Sequence, residues 1–319
     1  MILPEAGAVA VAQSLIEERE PSVKTPSLKV HLPAGVVGGA YTASSPLIRP
    51  SKLTSRKNGG VGKQLSDGWC VNFAVGCSHG CDFCYVDEIH KRFGRTRYGE
   101  AVLERWGNYM LVPSNLQDVI DSTPWGRWKG KEAMMSSTHD PYLPTIAHWA
   151  RKILEAALPE GAEFCIQTRS LLVVRDLELL AKYRKQVRLQ VSIATMNRDL
   201  GRLIEPRVPP AEARIDILRK EKEVGLDVGV ILAPIFPPVQ ARPDVQKDVK
   251  DLVGAIAQIP PDHIYGESLH VRGENLRLIQ QDLKDDKFRV TPGLDKGMAK
   301  TFHAELKRVG LSGTWWYDH

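Results

Sequence analysis

The sequence predicts an α/β fold built on an open sheet of six parallel strands. Two observations carry this. From about residue 68 the chain alternates short apolar runs with amphipathic stretches, and polar residues gather where the apolar runs end. Strand runs are expected at 71–75, 133–137, 163–168, 187–194, 228–235 and 263–269. Helical patterns follow at 143–157, 176–185, 211–224 and 244–259, each long enough to cross back over a sheet. Strand, helix, strand is the rhythm of right-handed βαβ units. Six strands are too few to close an eight-fold barrel.

Residues 1–65 read as an irregular lead-in, with six prolines by position 50 and the run Ser55-Arg56-Lys57-Asn58-Gly59-Gly60. Residues 66–270 form the α/β domain, and 271–319 a C-terminal extension. At 319 residues, 43% hydrophobic and 25% charged, the chain has material for a large core. No run reaches bilayer-spanning length, and the N-terminus carries no basic leader, so no membrane partner is expected. The net charge of +5 is compatible with a polyanionic partner. Five cysteines, three of them clustered, do not suggest a disulfide scaffold and point to a reducing cytoplasm.

Cys77-Ser78-His79-Gly80-Cys81-Asp82-Phe83-Cys84 is the most informative segment. A C-x3-C-x2-C loop can wrap three thiolates around one face of a cuboidal iron–sulfur cluster. The fourth cysteine of a ferredoxin-type site is missing, so one iron keeps an open position for a substrate. A zinc knuckle completed by His79 or His90 is the rival reading. Cys70 and Cys165 sit in apolar runs and read as small buried hydrophobes.

The loops after the strands carry Thr138-His139-Asp140-Pro141-Tyr142, Thr168-Arg169-Ser170, Ser192-Ile193-Ala194-Thr195, Glu205-Pro206-Arg207 and Ala233-Pro234-Ile235. With the cysteine loop, this ordered series resembles the radical S-adenosylmethionine (radical SAM) superfamily, in its spore photoproduct lyase-like branch, over about residues 70–240. The resemblance implies an open partial (β/α)6 TIM-type barrel with the cluster at its C-terminal mouth. It implies that Cys77, Cys81 and Cys84 hold a [4Fe–4S] cluster and that S-adenosylmethionine chelates the fourth iron. Arg169 would pair with the cofactor carboxylate, as a guanidinium fork suits. Ser192, Thr138 and Asp140 would hydrogen-bond the cofactor's polar parts. Phe83, Tyr85 and the segment 232–235 would flank the adenine. An electron donor such as flavodoxin or ferredoxin is implied as well. Ser137 departs from the branch, because photoproduct lyases place a hydrogen-donating cysteine there, and an alcohol donates a hydrogen atom far less readily than a thiol.

Two segments mix basic and aromatic residues, 90–98 and 125–131, a combination that suits stacked bases and phosphates. Glu267, His270, Arg272 and Asn275 are candidate substrate contacts, and Trp315-Trp316-Tyr317 reads as a hydrophobic plug. The expected function is radical SAM chemistry on a nucleic acid or nucleotide. The alternatives are a peptide or small-metabolite substrate, favoured if the two basic segments prove buried or scattered, or a non-catalytic iron–sulfur protein for electron transfer or sensing.

Overall fold

The computed structural model describes residues 32–51, 65–271 and 274–316. Its strands are β1 (Val37–Tyr41), β2 (Ile48–Pro50), β3 (Trp69–Val71), β4 (Tyr109–Pro113), β5 (Glu132–Met135), β6 (Glu163–Thr168), β7 (Val187–Ser192), β8 (Asp227–Ile235), β9 (His263–Ser268) and β10 (Thr314–Trp315). The main sheet runs β10-β9-β8-β7-β6-β5-β3-β2. All neighbours pair parallel except β2, which is antiparallel to β3. The six expected strands are β3 and β5 to β9, side by side in chain order. The sheet stays open, with β2 and β10 at its edges.

Crossover helices Ala147–Ala157, Leu177–Lys182, Ala211–Glu223 and Val245–Ala257 cover one face. Helix Ala147–Ala157 turns Ala150, Ile153, Leu154 and Ala157 inward at helical spacing. The strand residues facing these helices, Val71, Met135, Ile166, Leu189 and Val228, are fully buried. Each such side chain contributes about 1.5–3 kcal/mol on burial. On the opposite face, Arg188 of β7 reaches Glu132 of β5 at 2.7 Å and the Tyr265 hydroxyl of β9 at 3.5 Å. One side chain spans to the second strand on either side only if that face is concave, as a partial barrel requires.

Cys70, Met134 and Cys165 pack on that concave face with Leu65 and Trp316, in a cluster separate from the main core. Both cysteines are buried there as small apolar groups. Trp315 is buried against Phe302 at 5.4 Å, so this part of the C-terminal segment packs as the expected plug. Tyr317 lies outside the described residues.

Several boundaries differ from expectation. Within the lead-in, residues 37–41 and 48–50 are strands: β2 extends the main sheet, and β1 pairs with β4 in a second, two-stranded sheet. Both are short and lack the long alternation that marks a strand in sequence. The first barrel strand ends at Val71. Asn72 leaves the ladder to hydrogen-bond Ser137, and Val75 bridges to Leu111 instead. A 3-10 turn, Leu171–Asp176, precedes the helix expected from Asp176. Among the described residues no helix is long and apolar enough to cross a membrane.

The two basic–aromatic segments fall at opposite ends of the barrel. Residues 125–131 lead directly into β5, and Lys129 bridges to Ala162 just before β6, so they lie at the N-terminal ends of these strands. Their aromatics, Trp125 and Trp128, are buried core residues. The segment 90–98 follows the cysteine loop at the C-terminal end of β3. The two do not form one rim.

Candidate active site at the cysteine loop

The cysteine loop passes from β3 over the C-terminal mouth and is anchored from four directions. His79 Nε2 lies 3.0 Å from Asp140 in the loop after β5. Arg207 donates to the Ser78 carbonyl at 3.2 Å. The Asp82 amide donates to the Ile204 carbonyl at 3.2 Å, and the Asn275 side chain to the Phe83 carbonyl at 3.3 Å. Gly80 (φ +64) and Gly107 (φ +92) let two backbones touch, since a Cβ on Gly107 would stand 2.5 Å from the Gly80 Cα.

None of the three thiols is in a disulfide; Cys77 and Cys81 are buried and Cys84 partly so. Burial pushes Cys77 up to about 11 and Cys84 up to about 12, and drives Cys81 well above its usual value. Cys77 and Cys84 each add to the rise at Cys81, so the three thiols influence one another electrostatically. The Arg169 guanidinium opposes the rise at all three. Thiols buried together with one cation nearby suit positively charged iron, which deprotonates coordinating thiols outright. Of the two histidines that could complete a zinc site, His79 has both ring nitrogens engaged, with Asp140 and with the Arg207 carbonyl at 3.4 Å, and His90 Nδ1 meets the Tyr109 hydroxyl at 3.0 Å. Among the described residues no three His, Cys, Asp or Glu side chains converge on a single ion position. A cuboidal cluster instead takes one thiolate per iron.

The structure gathers most of the expected residues around this loop, with different tasks for some. Asp140 is fully committed. Its Oδ1 accepts from the Tyr142 amide (2.9 Å) and Thr168 hydroxyl (2.8 Å), its Oδ2 from His79 (3.0 Å) and the Arg169 amide (2.7 Å). A carboxylate has about four acceptor sites, so none is left for a cofactor. Burial would raise its pKa, but His79 and these hydrogen bonds hold it below the ordinary aspartate value. Asp140 is therefore the clamp joining the cysteine loop to the ends of β5 and β6, a correction to its expected cofactor contact.

Arg169 lies near all three thiols and is already paired. Its Nε donates to Glu205 at 2.9 Å, its Nη2 to the Ala233 carbonyl at 3.2 Å, and it lies over the Phe83 ring at 5.6 Å. Glu205 is buried between Arg169 and Arg214, whose Nη2 reaches it at 2.6 Å. Arg214 also donates to the carbonyl of Ser192, a residue buried at the end of β7, at 2.6 Å. Phe83 meets Phe236, one residue beyond the segment 232–235, at 6.0 Å edge-to-face. Tyr85 points elsewhere: its hydroxyl donates to the Ser137 carbonyl at 2.7 Å. Thr138 shares a 3.2 Å contact with His139 Nδ1, and burial lowers His139 to about 3.

Three residues with a clear part in the site were not singled out from sequence: Glu205 and Arg207, present only as the ends of E-P-R, and Asn72, which ties Ser137 to β3 at 2.9 Å. Of the distal candidates, Asn275 joins the cysteine loop as described. His270 lies 3.7 Å from Asp295 and 3.9 Å from Glu267, and Arg272 falls outside the described residues.

Comparison with known proteins agrees with this geometry. The family model described as "Radical SAM superfamily" matches residues 71–253. Uncharacterized protein ORF301 of Acidianus two-tailed virus is 54% identical over 88% of this chain and 93% of its own. Uncharacterized protein MJ0683 of Methanocaldococcus jannaschii is 32% identical over 56% of this chain and 60% of its own. A spore photoproduct lyase mutant with bound AdoMet and dinucleoside spore photoproduct superposes with a TM-score of 0.62 at 15% identity, covering 89% of this chain and 82% of that one. A second spore photoproduct lyase mutant gives 0.59 at 15% identity, covering 99% and 97%. At such identities these two show the shared fold alone. With its cysteine loop at the mouth of an open parallel barrel and the family match over residues 71–253, more than half of its length, the chain belongs to the radical SAM superfamily.

Proposed function

We propose that this radical SAM enzyme acts on a nucleic acid or nucleotide, drawing its electron from a flavodoxin- or ferredoxin-type donor. Cys77, Cys81 and Cys84 would hold the [4Fe–4S] cluster, with Arg169 beside them and Phe83 and Phe236 flanking the cofactor's adenine. Bound there, the cluster would supply the electron for reductive cleavage of S-adenosylmethionine, the chemistry that leads to hydrogen-atom abstraction from a substrate. The protein's own work is to hold, orient and dehydrate the reactants. Asp140 keeps the loop registered on the barrel, and Glu205 fixes the Arg169 fork.

The observation that carries the substrate class is the helix leaving the third cysteine, Val86–Phe93, and the turn after it. Phe93 is 70% exposed, with Arg92 over its ring at 5.2 Å. Among the described residues Arg92 and Arg97 have no acidic partner. An exposed ring under Arg92, with Arg97 over the nearby Tyr98 ring at 5.3 Å, directly beyond the cluster loop, suits a base to stack and a phosphate to pair. The solved neighbour's dinucleoside is consistent with this. Ser137 argues against the same repair chemistry, so the reaction itself stays open. The burial of Trp125 and Trp128 at the far end favours the second reading, a peptide or small metabolite.

Anaerobic reconstitution followed by reductant and S-adenosylmethionine should yield 5′-deoxyadenosine. The holoenzyme should bind DNA or RNA oligonucleotides with affinity that falls steeply as salt rises. Cofactor cleavage without any salt-sensitive binding, to single or double strands, would move the substrate to the second reading.

A further inference from the structure

The concave face of the sheet holds a pair of side-chain amides to which no role has yet been given. Gln167 on β6 and Gln190 on β7 are register partners. Side chains alternate along a strand, so both share the face of Cys165 and Arg188, two residues earlier. Below them Arg188 closes the N-terminal end of that face through its two hydrogen bonds to Glu132, at 2.8 and 2.7 Å. Above them on that face, toward the mouth, come Arg169 and Ser192. The pair thus lies one layer beneath the cysteine loop and above a closed floor.

Gln190 is fully buried, and its hydrogen bonding is incomplete. Its Oε1 accepts from Gln167 Nε2 at 3.1 Å, while its own Nε2 has no partner. Turning either amide over changes which atom is left without a partner, but one always is. Buried donors are nearly always satisfied, so this orphan calls for a partner, which a ligand or a bound water would supply. The neighbouring strand accommodates the pair: a Cβ on Gly229 would stand 2.5 Å from Gln190 Cγ, so only glycine leaves the room Gln190 occupies.

We infer that the Gln167–Gln190 pair reads the hydrogen-bonding edge of a nucleobase held inside the barrel beneath the cluster. A primary amide offers a donor and an acceptor in one plane, which matches the adjacent acceptor and donor of a base edge. The two amides, fixed to each other, present that pattern with little freedom to rotate. This rests on the nucleic-acid reading above and adds to it which residues discriminate among bases.

The test uses reconstituted holoenzyme with S-adenosylmethionine and four dinucleotides, TpT, CpC, ApA and GpG, with binding measured by calorimetry. Wild type should prefer one dinucleotide by ten-fold or more. Gln190→Met, similar in size but without the amide, should erase that preference, and Gln167→Met should weaken it. Gln190→Asn, which keeps the amide and steps it back one methylene, guards against a variant that fails to fold. Wild-type discrimination retained by Gln190→Met would overturn this inference alone. A ten-fold fall in S-adenosylmethionine affinity in Gln190→Met would place the pair on the cofactor and overturn it too. No dinucleotide binding by wild type would overturn the nucleic-acid reading and this inference together.

Discussion

At the scale of single residues, the site is decided by which groups are already satisfied. Cys77, Cys81 and Cys84 are held close together and protonated by burial, so iron binding must release protons, and loading should weaken as pH falls. Alanine at any of the three should abolish the roughly four-iron chromophore, whereas Cys70→Ala and Cys165→Ala should retain it, as iron analysis would show. Loss of iron on removing Cys70 would mean that the ligands are misassigned. Asp140 gives a second prediction. Asp140→Ala strips partners from the His79 imidazole and the Arg169 amide, and should cost about 1.5–3 kcal/mol per charge-assisted bond, seen as a lowered Tm and poor iron retention. Its folded pKa is depressed, so its contribution is present above the unfolded aspartate pKa and is lost as pH falls through the folded one. The Asp140→Ala penalty should therefore shrink in acid. Arg169→Ala should keep the fold and weaken S-adenosylmethionine binding by about 1.5–3 kcal/mol, beyond any effect of freeing Glu205. Unchanged cofactor affinity would confine Arg169 to holding Glu205.

At the scale of elements, the helix Ala211–Glu223 combines a paired buried charge with a buried carboxyl group that has no hydrogen-bond partner. Arg214 near its start is matched by Glu205, at 2.6 Å. Glu221 near its end is fully buried, neither carboxyl oxygen has a hydrogen-bond partner, and burial raises its pKa well above the usual glutamate value. A folded pKa above the unfolded one means the native state holds the extra proton. Stability is lost as pH climbs from the unfolded value toward the folded one. Glu221→Leu should therefore stabilise the protein at pH 7–8, by about 1–3 kcal/mol for relieving a buried unsatisfied polar group. The gain should fade toward pH 4. A thermal melt series across that range would measure it, and destabilisation at pH 8 would show that Glu221 has a partner in solution.

At the scale of the whole molecule, the polarity of the parallel sheet sorts functions between its ends. The C-terminal mouth carries the cysteine loop and the exposed Arg92, Phe93 and Arg97, while Trp125, Arg127, Trp128 and Lys129 lie at the far end. A polyanion docked at the mouth would leave the latter untouched. Replacing Arg92 and Arg97 with glutamine should reduce the log–log salt slope of oligonucleotide binding by about one for each phosphate no longer neutralised. The same change at Arg127 and Lys129 should leave the slope unaltered. Equal effects from both pairs would return to a rim spanning both segments. The family match also displaces the non-catalytic carrier, since the chain belongs to the radical SAM superfamily.

The sequence by itself determined what depends on near neighbours. Three thiolates within eight residues can share a cluster whatever the rest of the chain does, and the strand–helix rhythm specified six parallel strands in order. Polar residues at the strand ends located the mouth, and Arg169 was singled out only through the family resemblance of Thr168-Arg169-Ser170. Tertiary structure decided whatever depends on partners far apart in sequence. The chemistry of Asp140 depends on His79, Thr168 and Arg169, which arrive on separate segments, and nothing local shows that all its acceptor sites are filled. Glu205 became a bridge between two arginines only when β6 and the Ala211–Glu223 helix came together. Trp125 and Trp128 look like stacking residues in a basic run until the fold places them under β5, because side-chain burial is set by the surface that packs over it. The short strands β1 and β2 likewise exist only because β4 and β3 offer them edges to pair with.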